Sequence, residues 1–477
     1  MKWTRYFCGL LLVWHCAGVS FAAGEASLKL PPYERIQLTN GLTLLLLEQH
    51  KVPMVSVSVL VRAGVAAEPA GREGLASLTA DLLRRGTASR AADEIDAQLD
   101  FMGATLDFDA GYDFVSGGAD FLKKDQTAAL DLLADILLHP VFPEAEFTKR
   151  LQQVVDGLKE EKDEPNRVIG KYFRAFLFGG HPYGRPVDGD EASLAKLARD
   201  EVARFYAASY RPDATILAVA GDFSTTAMRR EIASRFEGWT RTQPAQTAPL
   251  SAPLSAPVPV KDRRLLLVDK PDSTQTYFRI GNVGIGATNA DRVAIELVNT
   301  VFGGRFTSLL NDALRVNSGY TYGASSRFEA SALPGPFWLA SYTRNDTTGP
   351  AIDLALEVLA RLHTEGLTAD QIASARAYLK GQAPERLESS DQLAARLARL
   401  EANGLDAREI DEYYRRLDAV TGEDAQRVIR DYFPLDHLVF VLIGKAAEIK
   451  AVAAKYAPRI ELRDISQPGY GVKSGDD

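Results

Sequence analysis

The chain has 477 residues, a formal charge of −8, and only two cysteines and six histidines. Its length allows two or more hydrophobic cores, and its acidic balance argues against nucleic acid and anionic membrane surfaces as partners. Both cysteines, Cys8 and Cys16, lie near the start of the chain, so disulfides, thiolate metal sites and cysteine nucleophiles are excluded from everything that follows.

That start carries Lys2 and Arg5, an apolar run and Ser20-Phe21-Ala22, which predict a secretory signal peptide over residues 1–22. Val13-Trp14-His15 ahead of Cys16 lacks the small residues of a lipoprotein box, which argues against a lipid anchor. No later apolar run approaches the roughly 18 residues of a membrane span. An exported protein without anchor or cysteines fits a bacterial periplasm, with secretion as the alternative. After cleavage His50, His139, His181, His363 and His437 remain, scattered too widely for any local histidine pair. His181, in Gly180-His181-Pro182-Tyr183-Gly184, is expected to anchor a turn.

A first half over 33–239 opens with RIQLTNGLTLLLLEQ and VPMVSVSVLVRAG, where Val55, Val57, Val59 and Val61 alternate as in a half-buried strand. A helix, the strand pair ATLDFDAGYDFVSGGADF, long helices and a closing helix and strand follow. Pro244, Pro249, Pro253, Pro257 and Pro259 then mark residues 240–262 as an extended linker. A second half over 263–466 repeats the order: RRLLLVDK, STQTYFRIGNVGIG, a helix, YTYGASSRFEASALPGPFWLASYT, paired helices, and a last helix and strand. Residues 467–477 are glycine-rich and polar and read as a frayed tail. Grouped strands followed by long helices predict an α+β fold of two related halves, each an antiparallel-rich sheet packed with helices. Gly303-Gly304 lacks the lysine of a phosphate loop and predicts a tight backbone approach instead.

VRAGVAAEPAGREGLASLTADLLRRGT resembles the zinc-site segment of insulinase/pitrilysin-type peptidases, the inverzincins, whose frame reads AG-x-x-x-E-x-x-x-x-x-G-x-A-H-x-x-E-H-x-x-x-x-G-T. HPYGRPVDG, FYAASYRPDATILAVAGDF and FGGRFTSLLNDALRVNSGYTYG extend the resemblance over both halves. Aligned at Gly74, Ala76 and Gly86-Thr87, the family's two histidines fall on Ser77 and Asp81 and its glutamate base on Ala80. The third ligand, a glutamate on a later helix, falls on Gly157 within VVDGLKEEKDEP. Leu75, Leu78 and Leu82 keep the helix's buried stripe, with Gly86 as the expected C-cap. The resemblance therefore implies a degenerate site that holds no metal, and Glu160 and Glu161 read as ordinary helix surface.

The second half resembles the family's L-R-x-x-x-G-x-x-Y signature, with Arg315 in a last helical turn, Gly319 ending it, and Tyr322 on the following strand. Tyr320 shares that strand's face by alternation. The resemblance implies that Arg315 and Tyr322 hold substrate and stabilise an oxyanion. It implies a clamshell of two halves hinged at the linker. It also implies a non-catalytic subunit, inactive alone and without a cofactor of its own. Zinc would sit in an HxxEH-bearing catalytic homologue, paired with this chain as a heterodimer or higher assembly, with unfolded peptide as substrate. The alternatives are a peptide-binding scaffold without proteolysis and a self-sufficient enzyme with a rearranged metal site.

Overall fold

The β-branched and leucine-rich runs of each half assemble into a sheet, and the two sheets share one strand plan. The computed structural model describes residues 28–240 and 254–471. The first sheet comprises β1 (Glu34–Gln37), β2 (Thr43–Glu48), β3 (Met54–Val61), β4 (Thr105–Ala110), β5 (Val115–Leu122) and β6 (Thr215–Gly221), ordered β1-β2-β6-β3-β5-β4. The second comprises β7 (Arg264–Asp269), β8 (Gln275–Val283), β9 (Ala324–Phe328), β10 (Pro336–Arg344), β11 (Val439–Gly444) and β12 (Ile460–Asp464), ordered β12-β7-β11-β8-β10-β9. From β2 and β7 to the edge strands β4 and β9 the two orders correspond strand for strand. Only the outer neighbour differs, β1 lying antiparallel to β2 and β12 parallel to β7. The chain is α+β with two mixed, largely antiparallel sheets.

Val55, Val57, Val59 and Val61 all enter the core of the first half. The opposite face of β3 was expected to meet solvent, yet Ser56 is buried and Leu60 belongs to another apolar cluster. The reason is a helix from the other half. Ser390–Ala402 lies across β3 and β6 and packs Leu393, Ala394, Leu397 and Ala398 against Leu45, Leu60, Ile216 and Ala218. The first half reciprocates with Pro165–Phe178, which sets Val168, Ile169, Tyr172 and Phe173 on Leu266, Val268, Val441 and Ile443 of the second sheet. Both crossing helices use the same i, i+1, i+4, i+5 stripe, the pattern that lays one helical face on a sheet.

These seams correct the expectation of a hinge at the linker. Each large apolar side chain in them is worth roughly 1.5–3 kcal/mol of burial, so parting the halves would expose two cores at once. Hairpin tips add a polar clasp. Ala332 N donates to Asp113 at 2.9 Å, and Leu333 N donates to the Tyr183 hydroxyl at 3.0 Å, which itself donates to Asp113 at 2.6 Å. The expected signal peptide, residues 1–22, and residues 241–253 of the expected linker lie outside the described residues.

The tail expectation is also corrected as far as Gly471. Tyr470 is buried and meets Tyr172 edge-on at 5.1 Å. Arg463 donates to the carbonyls of Pro468, Gly469 and Gly471. Lys162 donates to the carbonyl of Gln467 at 2.9 Å, so the tail straps the second half onto the first. Glycine here lets the chain turn, with Gly469 at φ 79, and does not leave it free. Residues 472–477 lie outside the described set.

Candidate functional site

Helix Leu75–Leu82 carries three of the four family positions. Its N-cap, Gly74, sits at φ 92, and a Cβ there would fall 2.8 Å from the carbonyl of Asp188. Both the left-handed conformation and the close approach demand glycine. The first turn is capped from outside by Glu68, whose Oε1 accepts from Gly74 N at 3.1 Å and Ala76 N at 2.8 Å. Burial pushes the Glu68 carboxyl up to about 8, and its Oε2 has no partner. The helix ends at Leu82 with Leu83 as C-cap. Gly86 is therefore not the cap; it lies beyond the end, at φ 137, bridged to Ala91.

Ser77 and Asp81 share one half-buried face, as ligands at i and i+4 would, while Ala80 is buried in the first core. Ser77 Oγ donates to Asp188 at 3.2 Å. Asp81 accepts from Arg150 Nε at 2.8 Å and lies 2.7 Å from its Nη2. Arg150 and Gly157 lie on the same helix, Glu144–Glu161. A Cβ at Gly157 would meet nothing within 4 Å, so the third ligand position opens onto free space. Glu161 is not idle surface. It accepts from Lys171 Nζ at 2.5 Å, and Lys171 also reaches Asp188 at 3.4 Å.

This donor set does not fit zinc. A neutral hydroxyl and a missing carboxylate offer poor ligands, and the one acid at a ligand position is committed to a guanidinium. Among the described residues no group of three or more His, Cys, Asp or Glu side chains could hold a metal ion. Arg150 supplies a positive charge to Asp81 from a fixed side chain, and burial, the larger influence, still holds the Asp81 carboxyl above its ordinary range.

Arg315 lies in the last turn of a wide, π-type helical segment, Asp312–Asn317, and Gly319 at φ 66 ends it as expected. Tyr322 is not on a strand. The chain first makes a turn in which Thr321 Oγ1 bonds Gly323 N and O, and β9 starts only at Ala324. Tyr320 packs against the second core. Arg315 and Tyr322 nonetheless line one depression of about 500 Å³, with Gln275, Tyr320 and Tyr342. The Arg315 guanidinium stacks 4.5 Å over Phe306. Tyr322 is 81% exposed, and its hydroxyl bonds no described residue. The structure thus brings Arg315 and Tyr322 together, and Ser77 and Asp81 together. No described residue of the first half lines the Arg315 depression.

Sequence reasoning missed Arg150, Lys171 and Asp188. Asp188 stands inside HPYGRPVDG, and only the fold brings it beside Ser77. His181 does anchor its turn, its Nδ1 accepting from Tyr183 N at 3.0 Å. Gly303 does permit a tight approach, since a Cβ there would fall 2.4 Å from Ser326 Oγ on β9.

Two family models match successive parts of the chain: one described as insulinase (peptidase family M16) over residues 43–191, and one described as peptidase M16 inactive domain over 196–379. The chain belongs to the insulinase, or M16, peptidase family. By the chemistry of its vacated positions it is a non-catalytic member. An uncharacterized zinc protease of Mycobacterium leprae is 28% identical over 389 residues, covering 82% of this chain and 86% of that one. One of Bacillus subtilis is 23% identical over 409 residues, covering 86% and 98%. The solved M16 inactive domain of Pseudomonas fluorescens superposes with a TM-score of 0.81 at 23% identity, over 87% of this chain and 98% of its own. A protease of Helicobacter pylori gives 0.80 at 19%, over 87% and 100%. These structures share the fold of this chain. No helix among the described residues is long and apolar enough to cross a membrane.

Proposed function

We propose that this chain is the non-catalytic subunit of a heteromeric insulinase-type zinc metalloendopeptidase, exported to the bacterial periplasm. An HxxEH-bearing homologue supplies zinc, water and the general base. This subunit supplies Arg315 and Tyr322, a guanidinium and a phenol that donate to the oxyanion as water attacks the peptide carbonyl. The unfolded substrate adds as a strand to an exposed sheet edge, for which β4 and β9 are outermost.

One contrast carries this reading. The acid at the vacated zinc position is spent on Arg150, whereas the Tyr322 hydroxyl beside Arg315 is unspent and faces open space. The test is reconstitution with a candidate HxxEH partner and a quenched fluorogenic peptide. The complex turns over in a chelator-sensitive manner, and this chain alone does not. Arg315→Ala lowers kcat about 100-fold or more, the cost of removing one oxyanion donor. Full activity of a complex carrying both Arg315→Ala and Tyr322→Phe would instead favour a scaffold that takes no part in hydrolysis.

A further inference from the structure

The duplication gives the vacated zinc site a counterpart in the second half. Helix Leu75–Leu82, helix Glu144–Glu161 and β4 correspond there to helix Arg292–Asn299, helix Ala369–Gln382 and β9. Between the latter three lies a cavity of about 410 Å³, inside the roughly 300–1,000 Å³ range of small-molecule sites. Its apolar wall includes Ile285, Val293, Phe328 and Leu379. Its charged lining is four arginines, Arg292, Arg327, Arg386 and Arg396, against two carboxylates, Glu296 and Glu409.

Both carboxylates are already engaged. Glu296 accepts from Arg386 at 3.2 Å and from the Tyr413 hydroxyl at 2.9 Å. Glu409 accepts from Arg292 and, at 3.0 Å, from Arg416. Arg396 makes no hydrogen bond or ion pair with any described residue. Desolvation against the cavity wall, then the neighbouring Arg386 and Arg399, hold its guanidinium below the usual arginine range against the pull of Glu296, while the residue keeps a solvent-exposed side.

The pseudo-symmetry shows what Arg396 lacks. The buried stripes align Val168, Ile169, Tyr172 and Phe173 with Leu393, Ala394, Leu397 and Ala398, which sets Lys171 opposite Arg396 in the two crossing helices. Lys171 has its anions, Glu161 at 2.5 Å and Asp188 at 3.4 Å. Arg396 has one carboxylate nearby, Glu296, which bonds Arg386 and Tyr413 and makes no ion pair with it.

We propose that this cavity is a carboxylate-binding site, with Arg396 as the residue that holds the anion and the apolar wall seating the group that carries it. The carboxylate is the C-terminus of an apolar peptide lying beside β9, or that of a small free acid. This site does not rest on the peptidase reading, since it needs neither a partner chain nor hydrolysis.

The test is calorimetric titration of the full chain, at low salt, with an N-acetylated apolar tripeptide, its C-terminal amide, and sodium acetate. The free acid binds about 10- to 100-fold more tightly than the amide, the span of one charge-assisted hydrogen-bonding partner. Arg396→Gln abolishes the difference, Arg396→Lys keeps part of it, and Arg399→Gln on the same helix changes affinity less than about twofold. Acetate binding as tightly as the peptide, and lost in Arg396→Gln, supports the site and assigns it to small acids. Because Arg396 has no partner to lose, Arg396→Gln melts with the wild type. Equal binding of acid and amide, no binding of any probe, or a preference that survives Arg396→Gln overturns the proposal.

Discussion

Lys171 and Arg396 stand at matching places in two helices that cross between the halves, and their surroundings have diverged. Around Lys171, Glu161 and Asp188 close the charge, Asp188 also takes Ser77, and Arg150 neutralises Asp81. Around Arg396 the one nearby carboxylate, Glu296, is taken up by Arg386 and Tyr413. The sheet faces beyond the crossing helices differ in the same way. The first half presents small and acidic groups there, Ser58, Ser116, Asp107 and Asp109. The second presents Tyr277 stacked on Tyr342 at 5.4 Å, and Arg279 at 4.3 Å over Trp338. Duplication has copied the backbone and the apolar stripes, because packing constrains them. The polar complement has changed separately in each half, leaving a paired cation at Lys171 and one without an ion pair at Arg396.

The two halves depend on each other most strongly at the seams. Phe173→Ala and Leu397→Ala, one in each crossing helix, should cost about 3–5 and about 2–5 kcal/mol respectively. Both should lower the midpoint of a single urea transition followed by circular dichroism and tryptophan fluorescence. Two transitions, each moved by only one variant, would mean that the halves fold independently. Smaller effects separate the two charged sites. Arg150→Ala strands a half-buried Asp81 and should cost about 1–3 kcal/mol, part of which Asp81→Ala restores in the double variant. Arg396→Gln should stay within about 0.5 kcal/mol of wild type.

A further effect concerns pH. Glu68 binds its proton more tightly folded, at about 8, than at its ordinary carboxylate value, with burial the main cause and Glu73 and Arg185 acting in opposite senses. Its contribution to stability is therefore complete below the ordinary carboxylate range and is lost as pH rises through about 8. Glu68→Gln keeps an acceptor for Gly74 N and Ala76 N without the charge. Its Tm should gain on wild type between pH 5 and pH 9, and parallel Tm profiles would contradict the assignment.

Much of the fold was legible because apolar patterning is local. Strand runs, helix runs and their duplicated order give both halves. What was illegible depends on contacts between distant segments. The second face of β3 reads as solvent-facing until Leu397 arrives from the other half. The tail reads as frayed because nothing near Tyr470 in sequence announces Tyr172. The vacated zinc positions were legible as substitutions in a frame, but not their replacement by Arg150. Tyr322 was misplaced onto a strand because a Thr321 side-chain turn competes with the ladder there. Arg396 carries no motif at all. Only alignment of the two buried stripes in space marks it.

The first half carries an internal ion pair, Asp81 with Arg150, where the family frame has a metal ligand. Equilibrium dialysis of the purified chain against zinc chloride, followed by elemental analysis, tests it most directly. Far less than one zinc per chain is expected, unchanged by Arg150→Ala. One tightly held zinc per chain, lost in Asp81→Ala, would contradict it.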